Sequence, residues 1–138
     1  MPSVLLATDA DWIRDEVVAA LEEEDTVVTT VRAGRDVTPA IAELRPVLVV
    51  LDLQIGNMGG MAACMALRLE EGAGRLPHAP VLMLLDRAAD LFLAQRSGAE
   101  GWLIKPLDAF RLRRAATAII GGGVWTEGIA SDPAPAAG

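Results

Sequence analysis

The chain has 138 residues, 52% of them hydrophobic, and a formal net charge of -7 from twelve Lys plus Arg against nineteen Asp plus Glu. That is enough to bury one good core and too little for two ordinary domains, and the negative charge disfavours nucleic acid and anionic membrane surfaces as partners. The one cysteine, Cys64, leaves no internal disulfide, the opening Met1-Pro2-Ser3 has no charged-then-apolar leader, and no apolar run reaches the length of a membrane span, so a reducing, cytoplasmic setting is expected.

In chain order, Val4–Thr8 reads as a strand, followed by a helix over Trp12–Glu24 with Ile13, Val17, Ala20 and Leu21 on one face. A second strand at Thr26–Val31 leads to a helix at Asp36–Leu44 with Pro39 in its first turn. The third strand, Val47–Leu53, is a nearly continuous apolar run, as is the fourth, Val81–Leu85, and such runs belong inside parallel sheets. Between them Met61–Glu71 reads as a helix that buries Cys64 as a small hydrophobe. Ala89–Ser97 is a helix closing near Gly98, Gly101–Ile104 a fifth strand, and Asp108–Ile120 a last helix closing near Gly121. Five strands alternating with five helices imply right-handed crossovers and an α/β fold, a doubly wound five-stranded parallel sheet in a three-layer sandwich. The domain is expected over residues 1–120. Gly121 to Gly138 turns rich in Gly, Pro and Ala and is expected to be a disordered tail, which Trp125 could dock locally.

Parallel strands deliver their last residues to one rim, where open α/β sheets hold ligands. Thr8-Asp9, Asp52 and Lys105 converge there. Two carboxylates suit a hard cation such as Mg²⁺, and the ammonium suits phosphate. Asp52 follows five apolar residues, an expensive place for a charge without a partner, so a site role is expected. Lys105 reads equally as a phosphate ligand and as a structural ion pair with Asp52. A site role is favoured for Asp9 because Asp11 is the better cap for the first helix. His78, between Pro77 and Pro80, reads as an exposed loop histidine. Met58, Ala62 and Met65 fit either an adaptable binding patch or the core, with the core ahead. Arg111, Arg113 and Arg114 read as a solvated basic face.

The chain resembles a receiver domain of the bacterial two-component response-regulator family from about Ser3 to Ile120. The resemblance rests on Asp52, on Gly60 eight residues later, on Asp9 with Arg14, and on Gly98-Ala99-Glu100-Gly101-Trp102-Leu103-Ile104-Lys105-Pro106. It implies a flavodoxin-like strand order 2-1-3-4-5. It also implies that Asp52 accepts a phosphoryl group, that Asp9, Asp52 and the backbone of Gln54 hold Mg²⁺, that Lys105 pairs with the phosphoryl oxygens, and that Trp102 is the switch aromatic. The fourth helix, fifth strand and fifth helix would form the partner or homodimer surface.

Five positions depart from the family pattern. Thr8 stands where a second acid is usual, so Mg²⁺ binding should be weak or absent. Leu85-Asp86 replaces a hydroxyl residue and a small residue. That leaves Leu85 at the switch position without a hydroxyl, which favours a core role for Trp102. Asp86 either joins the metal shell or contacts Lys105 and closes the site. Gly56 replaces a proline, and Gly59 an aspartate.

The expectation is an atypical single-domain response regulator acting through protein partners, possible ones including a histidine kinase, with Asp52 as candidate phosphoacceptor and no enzyme activity beyond self-phosphorylation and autodephosphorylation. The alternative is a phosphorylation-independent pseudo-receiver scaffold. A metal-dependent phosphatase is less supported, because Gln54 stands where it would want an acid. The segment after Gly121 is too short for an output domain, and neither nucleic acid nor membrane is expected as a partner.

Overall fold

The computed structural model describes residues 2–127. Its elements alternate from end to end: β1 (Ser3–Ala7), α1 (Asp11–Leu21), β2 (Val27–Val31), α2 (Val37–Leu44), β3 (Leu48–Asp52), α3 (Gly60–Gly72), β4 (Val81–Leu85), α4 (Leu91–Ser97), β5 (Gly101–Ile104) and α5 (Ala109–Ile120). All strand pairs are parallel, in the order β2-β1-β3-β4-β5. This is the doubly wound sheet expected from the alternation.

The two faces of the sheet explain why β1, β3 and β4 are apolar apart from Ser3 and Asp52 at their ends. Leu5, Ala7, Val49, Leu51, Val81, Met83 and Leu85 pack on one side, beneath α2, α3 and α4. Val4, Leu6, Leu48, Val50, Leu82, Leu84 and Leu103 pack on the other, beneath α1 and α5. A strand covered on both faces has no polar side to alternate with. Cys64 is fully buried in the first cluster, and burial pushes its thiol pKa up.

Three expectations need correction. Helix α1 stops at Leu21 rather than Glu24, and Glu22 is already extended. Glu22-Glu23-Glu24-Asp25 would put four negative charges on the negative end of the helix dipole. Asp11 is not the cap but the first helical residue, bonded to Arg32 at 2.9 Å. The segment after α5 is not free from Gly121 onward: Trp125 forms a parallel bridge with Gly101, and Glu127 is bonded to α5 and β5. The remainder of the expected disordered tail, residues 128–138, lies outside the described residues. Among those described, no helix is long and apolar enough to cross a membrane.

Candidate functional site

Period-two alternation sends four strand ends to one side of the sheet. Leu6, Val50, Leu84 and Leu103 share the cluster beneath α1 and α5. Thr8, Asp52, Asp86 and Lys105 each follow two residues later and project from the same face at the carboxyl rim. Leu85 and Trp102 have the opposite parity and lie in the other cluster, both buried. At the start of α3 a Cβ on Gly60 would sit 2.6 Å from the Asp52 carbonyl oxygen, so only glycine lets the helix begin this close to the site.

Asp52 is 2% exposed, and both of its oxygens are occupied. Lys105 Nζ donates to Oδ1 at 2.9 Å, the Gln54 N–H donates to the same oxygen at 3.1 Å, and the Thr8 hydroxyl donates to Oδ2 at 2.8 Å. Lys105 is shared, since its ammonium also donates to Asp86 Oδ1 at 2.6 Å. Burial pushes the Lys105 pKa down, but the bonds to Asp86 and Asp52 outweigh it and hold the group above the ordinary lysine value. Of the two placements read for Asp86, the contact with Lys105 is the one seen here.

Each of three departures from the family pattern supplies a hydrogen bond. Thr8 provides a donor to Asp52 where an acid would repel it, and its oxygen accepts from the Ala10 N–H at 3.2 Å, a bond at the start of α1. Gly56 donates its N–H to Asp9 Oδ2 at 3.1 Å, a bond that proline cannot make. Asp86 gives Lys105 a second carboxylate. Arg14 takes no part here, pairing with Asp11 and Asp15.

Receiver domains bind Mg²⁺ at this acidic pocket in general. The donor set of this chain does not fit the ion well. Among the described residues no three His, Cys, Asp or Glu side chains converge as a cation site. A hydroxyl stands in for one acid, and an ammonium lies on Asp52. Hard cations require several free oxygen ligands.

A second charged cluster, at the amino end of β4, was missed in the sequence. Arg68 of α3 donates to Glu71 at 3.0 Å, to Glu100 at 2.6 Å, and to the carbonyl oxygens of Ala79 and Gly98 at 3.0 and 3.1 Å. Glu71 and Glu100 in turn accept the N–H groups of Ala79 and Val81. His78 is exposed, as read, yet its ring nitrogens lie 3.2 Å from Glu71 and 3.4 Å from Glu100. The (i, i+3) spacing of Arg68 and Glu71 was the available signal. Two more readings change: Met58 and Met65 are about half exposed, so they are not core, and Arg111 is tied to Glu127 rather than solvated.

A family model for the response regulator receiver domain matches residues 4–117. The transcriptional regulatory protein AfsQ1 of Streptomyces coelicolor is 31% identical over 109 residues, covering 78% of this chain and 46% of that protein. The DNA-binding response regulator MtrA of Mycobacterium tuberculosis is 30% identical over 105 residues, covering 75% of this chain and 43% of its own length. This chain thus spans about half the length of the curated relatives it matches. Among solved structures, the chemotaxis response regulator CheY4 of Vibrio cholerae aligns with a TM-score of 0.75 at 25% identity, over 86% of this chain and 98% of that one. The shared fold, the strand-end site and the extent of the match converge: the chain belongs to the response regulator receiver domain family of two-component signalling.

Proposed function

We propose that this receiver domain acts in signal transduction as a protein-binding module whose Asp52 site is closed from within, so that its output does not depend on a phosphoryl group. The carrying observation is the sharing of Lys105 between Asp52 and Asp86 while Thr8 occupies the other oxygen of Asp52. A phosphoryl group arriving at Asp52 needs a free carboxylate oxygen and an available ammonium. Here it must displace a hydroxyl from one and a carboxylate from the other. Asp86 adds like charge beside the site, screened in part because its side chain is 40% exposed.

A second reading keeps Asp52 as a phosphoacceptor. It is favoured by the retained Asp52–Lys105 pair itself, since the lysine that neutralises the aspartate is positioned to meet a phosphoryl oxygen once Asp86 swings away. Intact mass spectrometry after incubation with a small-molecule phosphodonor and Mg²⁺ separates the two. The closed-site reading expects no gain of a phosphoryl group in the parent. A stoichiometric gain that disappears in Asp52→Asn supports the second reading and ends the first.

A further inference from the structure

Strand β5 lies at the edge of the sheet, and edge strands present free N–H and C=O groups to other chains. Here the segment after α5 folds back along it. The Trp102 N–H donates to the Trp125 carbonyl at 2.9 Å, the Trp125 N–H reaches the Glu100 carbonyl at 3.4 Å, and the Ile104 N–H donates to Glu127 Oε1 at 3.2 Å. The outward N–H groups of Trp102 and Ile104 and the carbonyl of Glu100 are therefore taken by residues of the same chain. Gly121-Gly122-Gly123 makes the reversal possible, with Gly122 at a φ of +94° that other residues rarely adopt.

Side chains fasten the segment at its far end. The Trp102 indole N–H donates to the Glu127 carbonyl at 2.9 Å. The Glu127 carboxylate holds Arg111 through both oxygens, one of them at 2.9 Å from Nε. Arg111 then donates to the carbonyl oxygens of Ile104 at 3.0 Å and Pro106 at 2.9 Å, the two residues that flank Lys105. Glu127 thus contacts β5 directly and, through Arg111, both sides of the residue that closes the Asp52 site.

We propose that Gly121–Glu127 is an intramolecular latch, which covers the β5 edge and, through Glu127 and Arg111, fixes both the Trp102 indole and the Lys105 segment. The inference does not rest on whether Asp52 is phosphorylated. A partner that adds a strand to β5 has to lift the latch first. Lifting it frees the Trp102 indole and removes the Glu127 arm of the Arg111 clamp, so the latch joins the partner edge to the site by continuous contacts.

The test is amide and indole hydrogen exchange with backbone NMR on the full chain, comparing the parent with Glu127→Ala and Glu127→Gln. In Glu127→Ala, exchange at the Trp102 and Ile104 amides and the Trp102 indole should rise about tenfold or more, while Val50 in the sheet centre keeps its parent rate. The same variant should shift the Gln54 and Thr8 amide resonances, which report the Asp52 site. Glu127→Gln should lie between the two. Unchanged exchange along β5 overturns the latch. Faster exchange along β5 with unmoved Gln54 and Thr8 resonances overturns its coupling to the site.

Discussion

Two charged clusters sit at opposite ends of the same sheet, each built on one cation shared by two carboxylates, and they are wired differently. At the amino end of β4, Arg68 and its partners Glu71 and Glu100 also bond main-chain groups of Ala79, Val81 and Gly98. At the carboxyl end, Lys105 joins the side chains of Asp52 and Asp86, and Asp52 takes one main-chain N–H, that of Gln54. A cluster that satisfies loop backbone is part of the fold, because removing it strands groups that must stay bonded. One made chiefly of side chains can be rearranged while the backbone stands. The difference separates a network that supports the backbone from one in which a lysine is shared between two side-chain carboxylates.

The largest expected effect follows from the first cluster. Arg68→Ala leaves Glu71 and Glu100 without their cation in a mostly buried setting and should destabilise the domain by about 3 kcal/mol, measured by urea unfolding. A loss below about 0.5 kcal/mol would erase the contrast. Thr8→Val keeps the shape but removes the hydroxyl donor to buried Asp52. It should cost about 2 kcal/mol in the same assay, the value of a hydrogen bond to a charged group. Asp86→Ala should change stability little, because the Asp86 side chain is 40% exposed, yet it should raise acceptance of a phosphoryl analogue by freeing Lys105. No change in that acceptance counts against closure by Asp86.

The smallest effect concerns pH. Burial raises the Glu127 pKa, but Arg111 and the Ile104 N–H outweigh it, so the group lies below its ordinary value of 4.5. A lowered folded pKa means that its stabilisation is present above 4.5 and is lost as pH falls through the folded value. Tryptophan fluorescence should therefore report loosening of the latch on acidification below that range in the parent, with a smaller change in Glu127→Gln. Identical profiles would show that Glu127 does not hold the segment.

Much of this was legible in the sequence where one physical constraint acted alone. The apolar runs in β3 and β4 announced strands covered on both faces, and the charges at the end of one strand and just beyond another, Asp52 and Lys105, could only meet at one rim. Legibility failed where two constraints competed. Helical propensity carries past Leu21 into Glu22–Glu24, but the run of acids from Glu22 to Asp25 at the helix end opposes it, and α1 stops at Leu21. The composition after Gly121 signals disorder, while Trp125 and Glu127 find partners in Trp102 and Arg111 that no local pattern foretells. Thr8, Gly56 and Asp86 could be read only as missing parts, because the bonds they make instead depend on loop geometry.

The most direct measurement is an NMR titration of the full chain with Mg²⁺ and then beryllofluoride, run on the parent, Asp52→Asn and Asp86→Ala. A site closed by Thr8 and the shared lysine should give no saturable shifts at Thr8, Gln54 or the Trp102 indole in the parent, and should gain them in Asp86→Ala. Saturable shifts in the parent that vanish in Asp52→Asn would contradict closure and establish Asp52 as an accessible phosphoryl site.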